Sequence, residues 1–297
     1  MMNDKLLLPP ETALGHVHYT TANLNRQLDF YTGTLGLTLH WQKEGRAGLG
    51  TGQHDLLRLT ERPDAVRSPR TTGMYHYALL LPDRKELARV IARLYKEGIS
   101  HSPTDHVFTK TTYLDDPEGN TIEIYTYSLE DGEYFYQDGS FAARWADGRP
   151  SSGREPLDLE DLFDHLSPED SLNHPLPEDT ELGHVHLYAG DLEEQMKFYR
   201  DVLGFRFGGM GKKIGMAEVE LERPHVIAFN VWQGRGIPPA PEDALGLRYY
   251  TIVLPSQTAL DEVLDRVRST GTSIEKNDRG FTVKDPAGIE VVLSSEK

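Results

Sequence analysis

The chain has 297 residues, enough for two domains that each bury a core. Its 31 basic and 47 acidic residues give a net charge of −16, which repels phosphate backbones and anionic membranes, so neither nucleic acid nor membrane partners are expected. No cysteine is present, which excludes disulfides and thiolate chemistry and leaves any metal to His, Asp or Glu.

The opening MMNDKLLLPPET lacks the apolar core and cleavage site of a signal peptide, and no apolar run reaches membrane-spanning length, so a cytoplasmic protein is expected. LGHVHYTT (Leu14–Thr21) reads as a strand. LNRQLDFYTGTLG (Leu24–Gly36) spaces its apolar residues three to four apart, as a helix does, and short strands follow around His40-Trp41 and Leu56–Leu59. YHYALLL (Tyr75–Leu81) predicts a further strand, Arg84–Glu97 an amphipathic helix, and TIEIYTY (Thr121–Tyr127) the last of the closing strands. The Gly-rich GRAGLGTG and GGMGKKIG lack the setting of a phosphate cradle and read as turns. Ser128–Glu181, rich in Asp, Glu, Gly and Pro, reads as an acidic linker whose LDLEDLFDHL forms a short, solvated helix.

The remainder repeats the beginning. Leu14–Leu39 lies over Leu182–Phe207 without a gap, matching LGHVH, Gln27 with Gln195, Phe30-Tyr31 with Phe198-Tyr199, and Leu35-Gly36 with Leu203-Gly204. Tyr75–Ile99 lies over Arg248–Thr272, and Tyr113–Tyr125 over Thr282–Ser294. This internal duplication predicts an α+β chain of four βαβββ modules: an N-terminal pair over 10–127, the linker over 128–180 and a C-terminal pair over 181–296.

These modules, the FY and LG pairs of the first helix and the closing DPEGNTIE (Asp116–Glu123) resemble the vicinal oxygen chelate superfamily of glyoxalases, fosfomycin-resistance transferases, bleomycin-resistance proteins and extradiol dioxygenases. The resemblance implies two half-barrel domains. Residues two apart on a strand share a face, so His16 with His18, and His184 with His186, can line such a cup.

By the same resemblance, His76 and Glu123 fall where extradiol enzymes hold their metal, and a first-strand histidine completes the set. Tyr249 and Val292 stand at the matching positions of the second half, with Glu290 two residues early, so one metal per chain is expected. In some relatives the second module pairs with the third, which would recruit His184; otherwise His16 serves. The likeness to the CatE-like catechol-2,3-dioxygenases, with GHxH in the later half, favours His184. Two imidazoles and one carboxylate suit Fe(II), with Mn(II) as the other candidate.

His106 and Tyr113, ahead of DPEG and Glu123, resemble the extradiol His and Tyr signature, although Thr112 departs from it. The resemblance makes His106 an acid–base group and Tyr113 a hydrogen-bond donor. It adds His225 if His184 is the ligand, or His54 if His16 is. Trp41, Phe108, Tyr125, Phe229 and Trp232 are candidate pocket walls.

The implied activity is extradiol cleavage of a catechol or hydroquinone by O2, with no organic cofactor. Two alternatives stand: a metal-dependent lyase or thiol transferase of the glyoxalase or fosfomycin-resistance type, and a metal-free binder of aromatic ligands. The oligomeric state stays open, a homo-oligomer included.

Overall fold

The computed structural model describes residues 7–296. The first module comprises β1 (Ala13–Thr21), α1 (Leu24–Asp29), β2 (Thr38–Lys43), β3 (Arg46–Thr51) and β4 (His54–Glu61). The second comprises β5 (Gly73–Leu80), α2 (Arg84–Glu97), β6 (Ser102–Asp105), β7 (Thr109–Asp115) and β8 (Thr121–Tyr127). A connecting segment holds β9 (Gly132–Gln137), β10 (Ser140–Trp145), β11 (Pro150–Ser151), β12 (Glu155–Pro156) and α3 (Leu159–Phe163). The third module runs through β13 (Glu181–Tyr188), α4 (Leu192–Lys197), β14 (Arg206–Gly211), β15 (Met216–Glu220) and β16 (Ile227–Asn230). The fourth runs through β17 (Gly246–Val253), α5 (Gln257–Ser269), β18 (Glu275–Asn277), β19 (Gly280–Lys284) and β20 (Glu290–Ser294). The α+β fold of four βαβββ modules is therefore present.

The residues shared by the two halves have a structural use. α1 starts at Asn23, whose side chain accepts from the Arg26 amide, then widens into a π-helical turn over Phe30–Leu35 and stops at Gly36 in the left-handed region, φ 83°. The Gln27 amide and the Tyr31 hydroxyl, one turn apart, both donate to the buried Asp116 carboxylate at 3.1 and 2.9 Å. In the second copy, Gln195 and Tyr199 donate to Asp285 at 3.0 and 2.9 Å, and the π-helical turn ends at Gly204, φ 94°. The repeated Gln, Tyr and Asp-Pro thus clamp each helix to the turn before its closing strand.

The modules pair in a nested way. β1 runs antiparallel to β17, so the first and fourth modules share an eight-stranded sheet in the order β18-β19-β20-β17-β1-β4-β3-β2. β5 runs antiparallel to β13, so the second and third share a nine-stranded sheet in the order β12-β6-β7-β8-β5-β13-β16-β15-β14. Tyr77 and Val185, opposite each other across the second seam, are fully buried.

Two sequence expectations are corrected. The connecting segment holds more than a short helix: β9 and β10 form a hairpin whose Asp138-Gly139 turn has φ of 52° and 75°, and β11 extends it to a three-stranded sheet. An Asp-Gly pair between strands rich in aromatics is a strong hairpin signal, here masked by the acidic flanks. GRAGLGTG is chiefly strand, in β3, whereas GGMGKKIG runs from the end of β14 into the turn expected there, ahead of β15. A Cβ at Gly48 would meet the Trp41 indole at 2.2 Å, and one at Gly50 the His54 carbonyl at 1.9 Å, so close packing requires glycine there. Among the described residues no helix is long and apolar enough to cross a membrane.

Candidate metal centre

Three neighbouring strands of the nine-stranded sheet, β8, β5 and β13, carry Glu123, His76 and His184 onto one face. Glu123 lies opposite Ala78 in the parallel β5–β8 pairing, and Ala78 lies opposite His184 in the antiparallel β5–β13 pairing. His76 Nε2 is 3.0 Å from His184 Nε2, and both nitrogens are 3.1 Å from the same Glu123 oxygen, Oε2. All three side chains are buried.

This donor set fits a divalent cation. Bonds of about 2.1 Å meeting at right angles place neighbouring ligand atoms about 3.0 Å apart, whereas tetrahedral angles would spread them to about 3.4 Å. The observed edges match one face of an octahedron, which leaves the opposite positions for other ligands. Burial pushes the His184 imidazole down to about 3, against the pull of Glu123, so it is neutral and free to ligate. Burial would push the Glu123 carboxyl up, but His184 and His76 outweigh it and hold the group well below the usual carboxylate range. The Thr111 hydroxyl donates to Glu123 Oε1 at 2.9 Å and so orients the oxygen that faces the imidazoles.

His106 and Tyr113 stand together beside this set. The His106 Nδ1–H donates to the Gly153 carbonyl at 2.5 Å, and burial holds the ring below its ordinary value, so Nε2 carries the lone pair that accepts from the Tyr113 hydroxyl at 2.9 Å. Tyr113 lies edge-on to His76 with 5.6 Å between ring centroids. His225 packs against His184 at 4.6 Å and has φ 57°, in the left-handed region that few residues other than glycine adopt. Its Nδ1–H donates to the buried Glu218, which also accepts from the Tyr134 hydroxyl at 2.5 Å. Burial pushes His225 down, but the Glu218 charge prevails and the net direction is up.

Three contributors here went unread in the sequence: Glu218, Tyr134 and Gly153. The signal for Glu218 was a carboxylate inside the short strand MAEVE, facing His225 on the neighbouring chain segment. Tyr134 and Gly153 come from the connecting segment, whose hairpin was missed. The glycine of LGHVH also has a local cause, because a Cβ at Gly183 would meet the Tyr125 hydroxyl at 2.3 Å.

His16 does not join His76 and Glu123. It lies in the eight-stranded sheet, where its amide donates to Thr251 Oγ1 at 2.7 Å and its ring faces Tyr249 at 5.7 Å. His18 faces the same Tyr249 at 4.8 Å and bonds Thr60 at 2.7 Å. Val292 pairs with Thr251 at the place corresponding to Glu123, and Glu290 is engaged by Arg279 at 3.1 Å. His54 is exposed at the start of β4. Of the candidate walls, Tyr125 packs tilted against His184 at 5.1 Å and Trp232 lies 5.5 Å from His186. Phe108 packs on Tyr134 at 4.3 Å, Phe229 is core against Tyr199, and Trp41 belongs to the other sheet.

The sequence profile of the glyoxalase/bleomycin resistance protein/dioxygenase superfamily matches residues 13–124 and 181–293. The chain is 39% identical over 282 residues to the catechol-2,3-dioxygenase of Bacillus subtilis, covering 93% of this chain and 94% of that one. A lactoylglutathione lyase of Neisseria meningitidis is 29% identical over 132 residues, covering 41% of this chain and 96% of that one. In fold, glyoxalase I of Zea mays superposes with a TM-score of 0.58 at 17% identity, over 95% of this chain and 92% of that one. Matched in both halves and built from four repeated βαβββ modules, the chain belongs to the glyoxalase/bleomycin resistance protein/dioxygenase superfamily.

Proposed function

We propose that the protein is an extradiol dioxygenase that opens a catechol or hydroquinone ring with O2, using Fe(II), or Mn(II) in its place, on His76, Glu123 and His184. One observation carries this reading: two imidazoles and a carboxylate converge at 3.0 to 3.1 Å on a buried face, bordered by the His106–Tyr113 and His225–Glu218 pairs. The 39% identity to a catechol-2,3-dioxygenase supports the reaction class.

The bound metal supplies Lewis acidity and a template that orients diol and O2. The chain supplies the proton chemistry and the dry surroundings. Because Nδ1–H of His106 is committed to Gly153, Nε2 is the atom that takes a proton from a substrate hydroxyl displacing Tyr113. His225, tied to Glu218 through Nδ1, holds a proton beside the His184 ring. Tyr113 then donates to the oxygen that gives up its proton.

The test is reconstitution of anaerobically purified protein with Fe(II) or Mn(II), followed by addition of catechol. One metal per chain, O2 uptake and a yellow ring-opened product are expected; a metal-loaded chain that consumes no O2 with any dihydroxylated ring would overturn the proposal. Glu123→Ala and His184→Ala should each lose the metal, while His16→Ala keeps it. A metal-free binder of aromatic ligands would instead keep its ligand in Glu123→Ala.

A further inference from the structure

The eight-stranded sheet, which holds no carboxylate at the position equivalent to Glu123, encloses something else. A cavity of about 1120 Å³ opens between its concave face, the β4–β5 and β16–β17 connections, and the ends of β5, β8 and β13 from the other sheet. Eight Arg and Lys side chains line it against three carboxylates, in a chain whose net charge is −16. That local excess runs against the charge of the whole molecule.

Four of these cations define one end. Arg58 is occupied by Asp55 at 2.7 Å, and Arg279 by Glu290 at 3.1 Å. Arg62 and Arg248 make no hydrogen bond or ion pair with any described carboxylate. Burial first, then the guanidinium groups of Arg62 and Arg279, push Arg248 below its ordinary value. The floor is aromatic: buried Tyr249 carries Arg279 over its ring at 4.6 Å and His18 against its edge at 4.8 Å. Burial, then Arg248 and the other nearby cations, push His18 down to about 3, so it adds a neutral face.

We infer that this cavity is a binding site for a small unsaturated or aromatic carboxylate, with Arg62 and Arg248 holding the carboxylate and the Tyr249–His18 floor holding the planar body. Guanidinium groups left without partners present paired N–H donors in the geometry that a carboxylate accepts. The aromatic floor selects a planar body over a compact inorganic anion. No residue of the metal centre lines the cavity, so this site stands whether or not the proposed ring-cleaving activity does.

The experiment is calorimetric titration of the full-length, metal-loaded chain with phthalate as the probe and inorganic phosphate at equal ionic strength as the comparison. One phthalate per chain is expected, with inorganic phosphate at least tenfold weaker. Arg248→Ala and Arg62→Ala should each weaken phthalate at least tenfold with metal content unchanged, and His184→Ala, whose side chain does not line the cavity, should bind it as the parent does. No phthalate binding, equal binding of inorganic phosphate, affinity unchanged in both arginine variants, or loss in His184→Ala would each overturn the assignment. The last of these would move the ligand to the metal centre.

Discussion

Glu218 is the residue whose removal tells most about the proposed site. It is fully buried, it accepts from His225 and Tyr134, and it anchors an imidazole whose backbone sits in the left-handed region. Glu218→Gln keeps the volume and removes the charge that holds the proton on His225. Its turnover is expected to fall about a hundredfold with metal content intact, the scale of losing one positioned acid–base group. Its pH–rate profile should shift toward acid on the limb set by His225, because without the Glu218 charge burial is opposed only by the weaker pull of Glu123. An unchanged profile would make Glu218 a packing residue. The resemblance to an extradiol signature ahead of the DPEG turn singled out His76, Glu123, His106 and Tyr113 within one module, and the fold brings these four side chains together. The association of Glu218 with His225 was not legible in the sequence, because it depends on the β15–β16 register and an unusual φ, neither of which leaves a spacing signature.

The elements are held by buried carboxylates at their turns. Asp116 accepts from Gln27, Tyr31 and Asn120, and also from the Glu118 and Asn120 amides. Asp116→Ala strands these donors, and a loss of about 3 kcal/mol in denaturant unfolding is expected. Asp285 occupies the same place in the fourth module, but burial pushes it up to about 6 despite the donors around it. A folded-state value above the unfolded one, about 3.9, stabilises the fold at low pH, and that contribution is lost as pH rises through about 6. Asp285→Asn cannot titrate, so the stability difference between parent and variant should change between pH 4 and 6 and be flat above 7. Melting temperatures across that range would check it; a constant difference would show that Asp285 is ionised throughout. At this scale the sequence was generous with the helices and outer strands, whose caps and periodicity are local. It was poor with β9 and β10, where acidic composition spoke louder than the Asp-Gly turn, although Tyr134 of that hairpin reaches the proposed site.

At the scale of the molecule, neither half contains a complete sheet. His184 reaches His76 and Glu123 only because β13 lies against β5, and duplication alone did not say which modules would meet. Separately produced fragments 7–128 and 129–296 are each expected to fail to bind metal, and to recover binding when mixed, as the shared β5–β13 and β1–β17 seams re-form. Metal retention by the first fragment alone would contradict the nested pairing as the basis of the site.

That nesting also sets an order of assembly. The inner pair of modules is finished once β16 has been made, whereas β1, made earlier, waits for β17 across more than 200 residues of chain. Contacts of such separation close slowly, and an unpaired strand edge left waiting is a template for the wrong neighbour. The barrel that could bind metal therefore closes first, like an inner bracket, and the barrel with the cationic cavity closes last. A chain stalled or clipped near its end would be metal-competent yet prone to aggregate through the edge of β1 that β17 otherwise covers.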